Sequence, residues 1–249
     1  MKRFLLGLME HIFLLGILIG SLLVLFGNQL TAHIARTSTK NQVVKKVSEK
    51  ELKKEVDSAN YNWSEVSNSN VLDSLSAKFS SETKPIALVT QPQAKIASTV
   101  VAGLDKYQLN LAVGTISPDQ KLGEGNYVLV GHHVPKSEWA LFSGVYYFAE
   151  PNQKIYLTDL NKVYEYTIKD VKFVEETEVH ITENDKYLSS ENNHTPGTPK
   201  ITIISCDITG KKRITEYGDL TNVYNFNKDE IPTEAVTGFE KAGDFNWNS

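Results

Sequence analysis

The chain has 249 residues, 41% hydrophobic and 22% charged, a composition that suits one sizeable globular domain or two small ones. Its formal net charge of −4 at pH 7 argues against nucleic acid as the main partner, because phosphate binding requires a clustered cationic face. The single cysteine, Cys206, excludes an internal disulfide, so the fold must be held together by packing.

Residues 1–30 are predicted to form a membrane anchor. Lys2 and Arg3 precede an apolar stretch that runs to Phe26 and is interrupted only by Glu10 and His11. About 20 such residues suffice to cross a bilayer as a helix. A cleaved signal peptide is the alternative, but no clear cleavage site follows, so we favour an uncleaved anchor. Basic residues flank both ends, and the positive-inside rule therefore does not set its orientation.

Residues 31–84 are predicted to form a polar, partly helical stalk that holds a folded domain away from the membrane. The segment is rich in Lys, Glu, Ser and Asn, and residues 43–56 have apolar positions at a loose helical spacing. A short partner-binding helix is the alternative to a solvated spacer. At the other end of the chain, residues 227–249 are polar without a clear pattern and are predicted to form a C-terminal tail.

Residues 85–226 are predicted to form the folded domain, a mostly β structure of about eight short strands with short helices. Apolar, β-branched runs recur at residues 86–90, 96–101, 110–113, 126–130, 154–158, 163–168, 171–174, 202–206 and 213–217. The runs on either side of residues 159–162 alternate strongly, which predicts a hairpin. Many short strands with few helical windows are typical of a closed or nearly closed antiparallel barrel.

Three side chains in this domain have the chemistry of a catalytic site. Cys206 ends an apolar strand, where it either presents a nucleophile at the sheet edge or acts as a small buried hydrophobe. His132 and His133 follow Gly131 at the end of another strand, and imidazole suits general acid and base work. Zinc is disfavoured, because strand neighbours point to opposite faces and no further ligands have metal spacing. Arg213, seven residues after Cys206, could stabilise an oxyanion or form a surface ion pair.

The order His132, Cys206, Arg213 and the run TIISC at residues 202–206 resemble the sortases, whose cysteine motif is written TLxTC. Residues 111–115, 125–133, 141–143 and 154–159 are also similar to the class A, housekeeping type. The resemblance covers residues 85–223, the whole expected domain, and implies a sortase-type closed eight-stranded β-barrel.

The resemblance further implies a membrane-anchored cysteine transpeptidase. Cys206 would attack the bond between Thr and Gly of an LPxTG-like sorting signal and form a thioacyl-enzyme. His132 would protonate the leaving amine, and Arg213 would hold the substrate and the developing oxyanion. The partners implied are surface proteins that carry the signal, the amine of a cell-wall precursor (lipid II), and a membrane crossed once, with the domain on the extracellular face.

Further positions are assigned to substrate binding by the same resemblance. They are Val130, Ile204, Ser205, His133, Val179 and Ile181. The last two lie in a long loop, about residues 175–200, that is a candidate lid. Ser205 replaces the family's usual threonine, and we expect its hydroxyl to keep hydrogen bonding. Some relatives bind calcium before the histidine strand, but only Asp119 and Glu124 are available there, so we predict no calcium and no cofactor.

Two other functions are compatible with the residues. A non-catalytic, anchored β-domain, such as an adhesin or chaperone, would bury Cys206 as a structural residue and leave its thiol unreactive. A cysteine hydrolase would use water in place of the amine acceptor. Papain-like enzymes are disfavoured because their cysteine precedes the histidine in the chain.

Overall fold

The computed structural model describes residues 2–63, 71–80, 83–135, 137–175, 197–207 and 209–248. Eight strands close into a barrel. They are β1 (Ala87–Gln91), β2 (Ile96–Val101), β3 (Val113–Thr115), β4 (Asn126–Val130), β5 (Lys154–Thr158), β6 (Lys162–Glu175), β7 (Lys200–Cys206) and β8 (Lys212–Asn225).

The strands follow one another around the barrel in the order β1-β2-β3-β4-β7-β8-β6-β5, and β5 pairs with β1 to close it. The expected hairpin is present as β5 and β6. The expectation of an antiparallel barrel is wrong for two pairs, because β2 pairs with β3 and β4 pairs with β7 in parallel. Parallel neighbours need a long crossover connection, and the 69 residues between β4 and β7, which include β5 and β6, provide one.

The barrel is filled by one face of each strand and covered on the other. Val89, Leu129 and Ile203 belong to the buried interior cluster. Leu88, the neighbour of Val89, points outward into a second cluster with Phe239. Because β1 is buried on both faces, all five of its residues are buried, and its sequence shows no polar alternation.

Five α-helices and a short 3-10 helix lie outside the barrel in the described part of the chain. They are α1 (Lys2–Asn41), α2 (Glu49–Ser58), α3 (Val71–Ser80), the 3-10 helix (Gln108–Asn110), α4 (Ser143–Phe148) and α5 (Thr233–Ala242). Between residues 7 and 41, α1 is long and apolar enough to cross a membrane. Its side chains at residues 8–26 are exposed on every side.

The segment expected to be a stalk packs on the barrel. α1 runs without a break through position 30, and Ala32 and Ala35 are buried against Val134, Ala140 and Leu141. Thr39 Oγ1 donates a hydrogen bond of 2.9 Å to the Leu111 carbonyl. Small side chains on one face of α1 let the helix approach the barrel closely. The helical content expected for residues 31–84 is present, but in the described residues the segment is not a free spacer.

The expected C-terminal tail also packs on the barrel. α5 buries Ala235, Phe239 and Ala242, which recur at helical spacing, against Leu88 and Tyr156. The rest of its surface is polar, and this hides the short apolar stripe in the overall composition of the segment. The expectation of a polar tail without a pattern is therefore corrected.

Glu216 lies inside the barrel, where no charged group was expected. It faces Ile203 across the β7–β8 ladder, and its Oε1 accepts a 2.7 Å hydrogen bond from Gln91 Nε2. Its Oε2 has no hydrogen-bond partner among the described residues. Burial raises the pKa of Glu216 to about 7, although the bond from Gln91 lowers it in part.

We predict that Glu216 makes the fold less stable as the pH rises. Its pKa lies above the ordinary value of 4.5, so the folded chain holds a proton that the unfolded chain releases. Stability is therefore lost between about pH 4.5 and 7 and is level above that, with a total loss of roughly 3 kcal/mol. In urea unfolding of the full chain in detergent, the stability of Glu216→Gln relative to the wild type should rise across this window.

Glu165→Gln is the matched control, because its shift has the opposite sign. Burial raises the pKa of Glu165, but hydrogen bonds from Lys154, Tyr224 and Asn222 outweigh it and hold the pKa below its ordinary value. That variant should lose stability relative to the wild type as the pH rises to about 4.5, and the difference should then be level across the window in which Glu216 titrates. A Glu216→Gln curve parallel to that of the wild type would show that Glu216 does not titrate inside the barrel.

Candidate active site

The pairing of three neighbouring strands brings His132, Cys206 and Arg213 to one place. In the parallel β4–β7 ladder, Val130 lies opposite Ile204, and Gly131 N donates a 3.1 Å hydrogen bond to the Ile204 carbonyl. Two residues further along each strand, His132 and Cys206 therefore follow on the same face. In the antiparallel β7–β8 ladder, Cys206 lies directly opposite Arg213. Residues that face each other across a ladder have Cβ atoms about 4.5–5.5 Å apart.

Gly131 is required by close packing rather than by its backbone conformation. A Cβ atom at this position would lie 2.6 Å from the Phe142 ring and 2.8 Å from Val113 Cγ1. Phe142 in turn donates a 3.2 Å backbone hydrogen bond to the His132 carbonyl. The glycine thus lets Phe142 pack against the end of β4 and fix the backbone that carries His132.

Arg213 is held against the turn between β7 and β8. Its Nη1 donates hydrogen bonds of 3.2 Å to the Gly210 carbonyl and 3.4 Å to the Lys212 carbonyl. The side chain is buried, whereas Cys206 at the end of β7 is half-buried. These bonds hold the guanidinium against the turn that follows Cys206.

His132 is 4% exposed, and this burial controls its protonation. Burial lowers the pKa of His132 to about 4, the Asp73 carboxylate opposes the shift, and the Arg213 guanidinium adds to it. The imidazole is therefore neutral at pH 7 in this covered arrangement. It can accept a proton there, but it is not the proton donor that an acid step needs.

His133 lies within a cluster of aromatic side chains. Its ring is 5.5 Å from Tyr146 and 5.4 Å from Tyr147, measured between ring centroids. Burial lowers its pKa, and Asp207 opposes the shift. Neither ring nitrogen has a hydrogen-bond partner among the described residues.

The other residues assigned to substrate binding do not all lie on one face of the sheet. Val130 and Ile204 are buried in an apolar cluster with Leu104 and Leu109, on the face of the sheet that carries Cys206. Ser205 alternates to the inner face opposite Ile214, and the hydrogen bond expected from its hydroxyl is not formed with any described residue. Val179 and Ile181, with most of the candidate lid, lie outside the described residues.

Comparison with known proteins identifies the family. A model of the sortase domain matches residues 89–221, more than half of the chain. Over 218 residues the chain is 30% identical to sortase A of Streptococcus agalactiae, an alignment that covers 85% of this chain and 83% of that protein. The chain belongs to the sortase family. The sortases are cell-wall transpeptidases, and the sortase homologues that the chain resembles are cysteine transpeptidases.

A second sortase supports the fold. The chain is 32% identical over 146 residues to sortase A of Listeria monocytogenes, which covers 58% of this chain and 60% of that protein. A crystal structure of Listeria monocytogenes sortase A superimposes with a TM-score of 0.50 at 26% identity, over 63% of this chain and 97% of that chain. The sortase-type closed barrel that the resemblance implied is thereby confirmed.

Sequence reasoning missed Asp73, which acts on His132 from helix α3. The helix is fixed on the barrel by Ser74, whose Oγ donates a 3.1 Å hydrogen bond to Asn110 Oδ1. Ala77 packs with Ile34 and Leu111 in a small apolar cluster. Asp73 precedes His132 by 59 positions in the chain, and no local pattern connects the two.

We predict that Asp73→Asn lowers the pKa of His132 further. The carboxylate stabilises the imidazolium, whereas a neutral amide cannot. In the variant, nothing from this position opposes the lowering of the pKa by burial. NMR of histidine-labelled full chain in detergent at pH 5 should show a smaller imidazolium fraction for His132, with its signal assigned by its loss in His132→Gln. Asp229→Asn, at an exposed site, is the control and should change nothing. An unchanged or larger imidazolium fraction in Asp73→Asn would contradict the electrostatic contact.

Proposed function

We propose that the chain is a membrane-anchored class A sortase, a cysteine transpeptidase that uses Cys206, His132 and Arg213. The observation that carries the proposal is the register of β4, β7 and β8, which brings a thiol, an imidazole and a guanidinium to one end of the barrel. Cys206 is half-buried rather than sealed in the core, which disfavours the alternative of a structural cysteine in a non-catalytic β-domain.

In the proposed reaction, the Cys206 thiolate attacks the carbonyl carbon of Thr in an LPxTG-like signal. The Thr–Gly bond breaks, the glycine nitrogen leaves with a proton from His132, and a thioester to Cys206 remains. An amine of the cell-wall precursor lipid II then attacks the thioester, loses a proton to His132 and releases the thiolate. Arg213 donates to the oxygen that carries negative charge in both tetrahedral intermediates.

We further propose that the Leu-Pro part of the signal binds beside the apolar cluster that contains Val130 and Ile204. This cluster lies on the same face of the sheet as Cys206. Its members Val130 and Ile204 precede His132 and Cys206 by two residues. His133, Val179 and Ile181 complete the proposed surface, and Ser205 can contribute only through its backbone, since its side chain points inward. α1 is proposed to cross the membrane once and to leave the barrel on the extracellular face.

We predict that Cys206→Ala abolishes both cleavage and transfer. The full chain in detergent is incubated with a quenched LPxTG-type peptide, with and without oligoglycine, and the products are identified by mass spectrometry. The wild type should form the oligoglycine-linked product, and the variant should form neither this product nor the cleaved peptide, because no other thiol is present. An unchanged circular dichroism spectrum serves as the control for folding.

Other results of that experiment would contradict the proposal. Cleavage by the wild type at the same rate with and without oligoglycine, and with only the hydrolysed product, would indicate a hydrolase. An absence of cleavage together with a Cys206 thiol that does not react with a methanethiosulfonate reagent would indicate a non-catalytic domain.

We predict that Arg213→Lys reduces turnover less than Arg213→Ala does. Lysine keeps the positive charge but lacks the planar fork that bonds to the Gly210 and Lys212 carbonyls. Loss of an oxyanion donor costs about 10²–10³-fold in kcat, so Arg213→Ala should fall in this range, with a smaller change in KM. Lys212→Ala, at the exposed neighbouring position, is the control and should retain activity. Near-normal kcat in Arg213→Ala would remove Arg213 from the mechanism.

A further inference from the structure

Helix α3 lies beside the part of α1 that leaves the apolar stretch. Ala77 of α3 packs with Ile34 of α1, and Leu30 and Leu75 contact the same cluster. The apolar stretch of α1 ends at Phe26, so Leu30 and Ile34 lie about 6 and 12 Å further along the helix axis at 1.5 Å per residue. If α1 crosses a bilayer, as proposed above, α3 lies at the outer edge of the lipid headgroups, because Leu30 falls within a layer about 5–8 Å thick and Ile34 falls just beyond it.

The free face of α3 is apolar. Leu72 and Phe79 lie seven residues apart on one side of the helix, opposite Ser74 and Ala77, which are buried on the domain. Leu75 lies at the edge of this face and is partly buried against the cluster with α1. Phe79 is 83% exposed and Leu72 is 65% exposed. Outside α1, these are the two most exposed large hydrophobic side chains in the described part of the chain. A soluble surface would not be expected to place both on one ten-residue helix.

Exposed basic side chains occur on both helices: Lys78 on α3, and Arg36 on α1, two residues beyond Ile34. α3 also carries Asp73, so its own charges balance. No acidic residue occurs between His11 and Ser48. Basic side chains close to a membrane are attracted by anionic headgroups, with a gain of about 1 kcal/mol each. An apolar face flanked by basic residues is the pattern of a helix that lies in the membrane interface.

We propose that α3 is an interfacial helix that rests on the bilayer surface beside α1, with Phe79 inserted at the boundary between headgroups and acyl chains. The partner is the lipid bilayer, because α3 packs against α1 just beyond the apolar stretch that is proposed to enter it. The proposal rests on the proposed membrane crossing of α1. Since Asp73 on the same helix acts on His132, the contact with lipid would hold the catalytic end of the barrel close to the membrane, where a lipid-linked acceptor is located.

Spin labelling tests this contact directly. Cys206→Ala removes the only cysteine, so that Phe79→Cys in this background carries a single label and the measurement does not depend on activity. The full chain is reconstituted in vesicles of phosphatidylcholine and phosphatidylglycerol, and collisions of the label with oxygen and with a water-soluble nickel complex are measured. Val24→Cys, 86% exposed on α1, and Val223→Cys, 51% exposed on β8, are the controls for lipid and for water.

The expected result is a ratio of oxygen to nickel collisions at position 79 several-fold above that at position 223 and close to that at position 24. A ratio at position 79 equal to that at position 223, with position 24 in lipid, would overturn the interfacial helix and leave the membrane crossing intact. Low collision rates with both reagents at position 79 would indicate a protein contact and would also overturn it. A label at position 24 in water would overturn the membrane crossing and this proposal with it.

Discussion

The alignment of the proposed catalytic residues depends on the parallel pairing of β4 with β7. The two strands are far apart in sequence, and their register of Val130 with Ile204 sets how far each extends at the end of the barrel. A shift of one residue would turn either His132 or Cys206 to the inner face, because side chains alternate along a strand. The buried clusters on both faces of these strands prevent such a shift. The packing that stabilises the barrel therefore also fixes the alignment of the site.

Segments from both ends of the chain pack on the outer face of the barrel. Residues after α1 reach the C-terminal segment, where Val43 and Asp244 form a β-bridge and Val44 N donates a 2.8 Å hydrogen bond to the Asp244 carbonyl. α5 then covers Leu88 and Tyr156 on the outer face. Because α1 also packs on Val134, directly after the two histidines, the helix that is apolar enough to cross a membrane is joined to the active-site end without a flexible connection.

The sequence predicted what depends on local pattern and missed what depends on distant partners. Alternation predicted β5 and β6, and the strand ends at Gly131 and Cys206 identified the candidate catalytic residues. The parallel pairings have no local signal, because the residue pattern of a strand does not show which other strand it will pair with. Glu216 was missed since a lone carboxylate in a strand normally marks a solvent face, whereas here Gln91 from across the barrel donates a hydrogen bond to it in the interior. The electrostatic effect of Asp73 on His132 likewise exists only once α3 packs on the domain.

Access to the site and protonation of its histidine are coupled. With His132 4% exposed, the proposed contact between substrate and imidazole requires a more open arrangement than the one described. The same burial is the main cause of its low pKa, so an arrangement that exposes the ring to water raises the pKa toward its ordinary value of 6.5. The covered arrangement therefore holds a neutral histidine, and in the proposed mechanism the ability to protonate a leaving amine arises only as the site opens. Asp73 favours the imidazolium for as long as α3 stays beside it, so the two proposals together make helix α3 the link between membrane contact and acid catalysis.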